Sequence, residues 1–179
     1  MLMTPAIWYW FEKLETQKQN VLADIARLSP TQLRFRPEQT AWSVSEVIDH
    51  LVKVEKALLE AARGQLPNGT PLKFNDRVGA LFIIGIMQLP MRVKVPASAS
   101  MVLPGAITDT SEIAMRWSAV REEMAEMLRS LRPEQFRCGL FRHPVSGWMI
   151  MARALAFLSA HLRHHDYQLN RLKSASRKL

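Results

Sequence analysis

Residues 151–172, MARALAFLSAHLRHHDYQLNRL, decide the fold class. Met151, Ala154, Leu155, Leu158, His161, Leu162, His165, Leu169 and Leu172 recur at spacings of three and four, the repeat that lines one side of an α-helix with core-facing residues. Two histidines stand on that stripe where apolar side chains are expected. His161 and His165 are four apart, so one helical turn places their imidazoles on the same face. The helix is expected to begin after His143-Pro144 and Gly147 and to run to about Leu172.

Three earlier segments carry the same repeat. The first runs from about Pro5 to Leu28 with a seam of Ile7, Phe11, Leu14, Lys18, Val21, Ile25 and Leu28. Only Lys18 interrupts it, and its long stem can follow the core out to water. Ser29-Pro30 then stops this helix. The second starts at Ser43, because Ser43 with Glu46 three residues on spells a capping box, with Trp42 placed as a hydrophobic staple. Val47, His50, Val54, Ala57 and Ala61 trace its inner face until Gly64 ends it. The third is capped by Asp109 or Thr110, shows the stripe Ile113, Trp117, Val120, Met124, Met127 and Leu131, and closes at Pro133.

Between Gly64 and Asp109 the repeat lapses, broken by Pro67, Pro71, Pro90, Pro96 and Pro104. A long connection follows, with a shorter helix expected over Phe74 to Gln88; links of this length usually shape a site or an interface. Four amphipathic helices that cannot bury their stripes alone satisfy one another best as an all-α four-helix bundle. The expected organisation is one domain over residues 1–179, with the link at 64–109 and a basic C-terminal tail at 173–179. The link permits either antiparallel neighbours or a crossover, so periodicity leaves the helix order open.

Composition agrees. Among 179 residues 48% are hydrophobic, enough for a core, and the 7 glycines are too few for a turn-rich β protein. The formal charge of +8 would suit a nucleic acid, an anionic membrane or an acidic small molecule. It is dispersed, however, and its visible cluster, Arg171, Lys173, Arg177 and Lys178, reads as a frayed, solvated tail. No base-stacking module or basic recognition helix is legible, so no specific nucleic-acid partner is expected. The single cysteine, Cys138, excludes an intramolecular disulfide, suits a reducing cytoplasm, and lacks the adjacent base of a nucleophile. The start, MLMTPAIWYWFEKLE, has no signal-peptide pattern. The run Val78 to Pro90 falls short of the ~20 residues a spanning helix needs and is expected to be buried or to cover a groove. A cytoplasmic protein without a membrane partner is the expectation.

His50 joins His161 and His165 on an inward face, from a different helix. A buried imidazole with an unpaired polar atom costs about 1 to 3 kcal/mol, so three together need hydrogen bonds or a shared ion. Hydrogen bonds to backbone carbonyls, Glu46, Asp49 or Gln168 are the plain alternative. One divalent ion, zinc or nickel by ligand type, satisfies three neutral imidazoles at once and keeps a position open for water or substrate. His164, a step round the helix, and His143, in a loop, are expected to be solvated.

The stretch SPTQLRFRPEQTAWSVSEVIDHLVKVE, Ser29 to Glu55, with Trp-Ser before a helix and His-Leu later in it, resembles the DinB-like superfamily, also called the YfiT-like metalloenzymes. So does HPVSGWMIMARALAFLSAHLRHHDYQLNR, His143 to Arg171, with its His-x-x-x-His and trailing Gln-Leu. The resemblance implies an up-down-down-up bundle whose second and fourth helices supply a three-histidine metal site, carried onto His50, His161 and His165. Relatives include thiol-cofactor transferases and a thiol-dependent isomerase. The expected function is therefore a metal-dependent S-transferase, in which the ion activates a low-molecular-weight thiol against a small electrophilic substrate. A hydrolase using an activated water is the first alternative. A non-enzymatic binding module, engaging partners through Trp8, Tyr9 and Trp10, is the second. Gln168 is expected to orient a ligand from behind, and Glu46 to cap its helix rather than act as a base. A homodimer is expected, with Met87, Met91 and Met101 on its surface.

Overall fold

The computed structural model describes residues 3–89, 97–105 and 109–177. Four long helices, α1 (Pro5–Ile25), α3 (Val44–Gln65), α5 (Thr110–Ser130) and α6 (Met151–Ser176), form the bundle, and two shorter ones, α2 (Pro30–Arg34) and α4 (Phe74–Ile86), lie in the connections. The ends follow side-chain chemistry. Ser43 Oγ accepts from the Glu46 amide while the Glu46 carboxylate accepts from the Ser43 amide, closing the expected capping box. Thr4 caps α1 with Pro5 in the first turn, and Asp109 caps α5. Ser29, expected only to stop α1, also opens α2 through a second capping box with Gln32, and α1 itself ends at Ile25.

Cross-helix bonds fix the directions. Asp49 meets Arg116, Glu55 meets Arg121 and Arg63 meets Glu123, so α3 and α5 advance together and lie parallel. Gln17 donates to the Ser159 carbonyl and Lys173 pairs with Asp24, so α1 and α6 are parallel as well. Gln135, just after α5, donates to the Leu66 carbonyl at the foot of α3, and α6 rises from there. The order is up-down-down-up. Parallel consecutive helices require a crossover, which is the physical reason for the long link: it must carry the chain from the foot of α3 back to its top.

Several local expectations change. The loop expected before the fourth helix, and the first residues expected in that helix, contain a hairpin of β1 (Phe141–His143) and β2 (Gly147–Met149), turned at Gly147, whose φ of 82° is in the left-handed region, and α6 starts only at Met151. The helix in the link lies outside the bundle on α6 and β2. Only Ala80 and Ile83 of α4 are buried, while Phe74, Val78, Leu81 and Phe82 are exposed, so the described part of the Val78–Pro90 run, residues 78–89, covers α6 with one face and presents the other to solvent. Pro90, Met91, Pro96 and Lys178 lie outside the described residues. The inner face of α3 is Val47, Ile48, Leu51, Val52, Glu55, Leu58, Leu59 and Ala62; Ala61 is exposed and Val54 only half-buried, because helices press on α3 from more than one side. At the other end α6 continues to Ser176, with Lys173 paired to Asp24, so residues 173–176 of the tail are helical where fraying was expected, while Arg177 is exposed beyond the helix.

Lys18 does not reach water. It is 3% exposed and bonds Glu15 at 2.9 Å, beside a buried network in which Arg121 grips Glu55 through Nε at 2.5 Å and Nη2 at 2.6 Å, and reaches Glu15 at 3.1 Å. Trp117 Nε1 donates to the same Glu55 carboxylate at 2.9 Å. Charges this deep persist only when paired and hydrogen-bonded, and this network does both across α1, α3 and α5.

Candidate metal centre

The Ser43 capping box sets the start and phase of α3, so His50 falls seven residues later on the side facing α6. The three-and-four repeat of α6 turns His161 and His165 back toward it. All three are buried. His50 Nε2 lies 3.3 Å from His161 Nε2, which lies 3.1 Å from His165 Nε2. Among the described residues these three form a group whose ligand atoms all lie within 4.8 Å of one another. Zinc–nitrogen bonds of about 2.0–2.1 Å set at tetrahedral angles place neighbouring nitrogens roughly 3.3–3.4 Å apart. The two nitrogen pairs stand within a few tenths of an ångström of that spacing.

The outer nitrogens explain which atoms are free to bind. His50 Nδ1 is 2.7 Å from the Val102 carbonyl oxygen, an atom that can only accept, so Nδ1 carries the proton and Nε2 presents a lone pair. His165 Nδ1 donates to Gln168 Oε1 at 2.9 Å with the same consequence. Among three converging Nε2 atoms, only that of His161 remains able to carry a proton. At least one lone pair therefore faces another without a hydrogen between them, a polar deficit that a cation removes. Hydrogen bonds satisfy the outer nitrogens of His50 and His165, while the three inner nitrogens share at most one proton.

Burial keeps the imidazoles uncharged, the form that ligates metals. It holds His161 well below its ordinary 6.5, with the charges of His165 and His50 acting in the same direction. His165 falls to about 3, through burial first and the charge of His50 second. His50 is lowered by burial against the opposing bond to Val102. Aromatic rings wall the cluster: Trp42 stands 5.0 Å from His50 and stacks over His165, and Phe157 stacks on His161 at 5.8 Å between ring centres.

The sequence-chosen residues fall into distinct groups. His50, His161 and His165 come together, and Gln168 stands behind His165 as expected. Glu46 is engaged by the Ser43 cap and by Arg36 at 2.6 Å, which leaves it a structural part. His143 and His164 are half-buried where solvation was expected. The hairpin turn folds over His143, whose Nδ1 accepts from the Val145 and Ser146 amides, and burial lowers its pKa to about 4. His164 is 3.2 Å from the Leu89 carbonyl, three residues beyond α4. Cys138 is remote, its thiol donating to the Glu134 carbonyl. Sequence gave no sign of Val102, because a backbone carbonyl is independent of side-chain identity. Trp42, expected as a staple, instead lies on the histidines.

The family model of the DinB superfamily matches residues 13–169. YuaE of Bacillus subtilis, an uncharacterized protein, is 22% identical over 156 residues, which are 84% of this chain and 88% of that one. Among solved structures, YfiT of Bacillus subtilis superposes with a TM-score of 0.65 at 17% identity, covering 98% of this chain and 90% of its own. It is described as "a probable metal-dependent hydrolase with an unusual four-helix bundle topology", and at that identity the likeness concerns the fold. With a bundle of that kind, three histidines on its second and fourth long helices and a family match from residue 13 to residue 169, the chain belongs to the DinB superfamily.

Proposed function

We propose that this protein is a metal-dependent hydrolase of a small molecule, with one divalent ion, zinc or nickel, held by Nε2 of His50, His161 and His165. The observation that carries the reading is the convergence of three buried ring nitrogens at 3.1 and 3.3 Å, two of them fixed as lone-pair donors. An ion there would supply Lewis acidity and a lowered pKa for a water in its open position. The chain's own contribution is orientation and exclusion of solvent. Val102 O and Gln168 Oε1 set the tautomers of His50 and His165, and Trp42 and Phe157 cover ring faces that water would otherwise reach.

Transfer from a low-molecular-weight thiol, the leading expectation from sequence, takes second place. Hydrolysis needs only solvent as co-substrate, and the similar fold of YfiT is described as a hydrolase. Assaying zinc- and nickel-loaded protein on activated esters, amides and alkyl halides, with and without a small thiol, separates the two. Turnover without thiol supports hydrolysis; turnover only with thiol overturns it in favour of transfer. Absence of metal-dependent turnover across the panel would favour the binding-module reading, for which Trp8 and Tyr9 are exposed.

The proposal includes a homodimer, supported by the apolar outer face of α4. The methionine surface expected from sequence is not continuous: Met87 is buried, Met101 is exposed, and Met91 lies outside the described residues. Sedimentation velocity reads the assembly directly. A monomer at micromolar concentration would reject it.

A further inference from the structure

We infer that Asp49 and Lys53 are positioning residues for the three-histidine site, clamping residues 102–105 against α3 so that the Val102 carbonyl keeps the His50 proton on Nδ1 and turns Nε2 inward. The inference rests on the metal reading above. It concerns residues that touch neither the ion nor the substrate.

The difficulty the clamp solves is mechanical. Val102 closes a 310 turn (Ala97–Val102) within the long link, outside the bundle's helices, and a carbonyl on an unanchored connection would not hold one imidazole orientation. Three bonds to a single turn of α3 anchor it. His50 Nδ1 donates to Val102 O at 2.7 Å, Lys53 Nζ donates to Leu103 O at 2.9 Å, and the Gly105 amide donates to Asp49 Oδ2 at 2.8 Å. Asp49 is 1% exposed although it carries a carboxylate. Its donors account for that burial: Lys53 Nζ at 2.8 Å and Gly105 N share Oδ2, while Arg116 of α5 reaches Oδ1 at 3.1 Å. A buried carboxylate with three donors resists reorientation, so α3, α5 and the strap are locked together one residue from a proposed ligand. Fixing the outer nitrogen of a metal-binding histidine from behind typically changes metal affinity 10- to 100-fold.

The test compares wild type with Asp49→Asn, Lys53→Met and Glu55→Gln. Asp49→Asn keeps shape but removes the charge that holds Lys53 and Arg116. Lys53→Met removes the bond to Leu103 from a side chain that is 28% exposed, so it decides the matter if Asp49→Asn fails to fold. Glu55→Gln weakens the buried Arg121 network without touching the strap, and controls for general loss of stability. Zinc affinity is read by competition with a chromophoric chelator, the His50 tautomer by nitrogen-15 ring spectra of the metal-free protein, and strap docking by amide exchange at Gly105. The expected result is zinc binding weakened about tenfold in both strap variants, with loss of the Nδ1–H tautomer of His50 and faster Gly105 exchange, while Glu55→Gln binds zinc as wild type does. Wild-type affinity in both strap variants would overturn the inference and leave the metal site standing. Wild-type protein that binds no zinc would overturn the metal reading itself.

Discussion

Lowering the pH of the metal-free protein from 7 to 5 should cost it stability, and zinc should raise stability at both pH values without removing that loss. The folded-state pKa of His165 is about 3 against an ordinary 6.5, with burial the main cause. Between those values the unfolded chain binds a proton that the folded chain refuses. Stability is therefore complete above pH 6.5 and declines as the pH falls toward 3, with a slope approaching 1.4 kcal/mol per unit for each such group, about 2 kcal/mol by pH 5. His143, lowered to about 4 by burial, adds to the decline over the narrower window between 6.5 and 4. Against a total of about 5–15 kcal/mol for a domain, that is a loss urea unfolding followed by circular dichroism resolves easily. His165→Gln should flatten the profile by removing one of its contributors. Zinc bound to the lone pairs adds stability at every pH where the imidazoles stay neutral, but the loaded protein refuses the same protons, so the decline between pH 7 and 5 persists on a higher baseline. A metal-free stability equal at pH 7 and pH 5 would refute the reasoning, since the imidazoles could not then be buried and uncharged.

Three further outcomes follow from the same contacts. Arg121→Met strands the Glu55 carboxylate with Trp117 as its remaining partner and should cost about 3–5 kcal/mol in chemical denaturation, most of it recovered in the Arg121→Met/Glu55→Leu double variant. Gln168→Ala should weaken zinc binding roughly tenfold in chelator competition with little change in metal-free stability, because it removes the acceptor behind His165. Gly147→Ala should destabilise the protein by at least about 1 kcal/mol in thermal unfolding, since φ there is 82° and an added Cβ would meet the Asp76 carboxylate.

What could be read from sequence was whatever repeats along one helix. The stripes of α5 and α6 and both strongly capped helix starts are where periodicity and capping chemistry put them, and so are the three histidines, since a polar residue on an apolar stripe stands out against its neighbours. What could not be read depends on contacts between elements. Lys18 breaks the α1 seam because it pairs with Glu15 one turn earlier, which Arg121 of α5 reaches in turn, and Arg121 itself looks like an ordinary surface residue until α3 supplies Glu55. The hairpin at 141–149 is too short for its alternation to register. The parallel course of α3 and α5, and the return of the link to His50 through a backbone carbonyl, leave no mark on side-chain pattern at all.

Zinc K-edge absorption spectroscopy on loaded, dialysed protein reads the atoms around the ion directly. Three converging histidines predict one zinc per chain with three imidazole nitrogens at about 2.0–2.1 Å and a light oxygen ligand completing the shell, reduced to sub-stoichiometric metal in His161→Ala. Zinc that dialyses away, or a shell with fewer than three imidazoles, would contradict it.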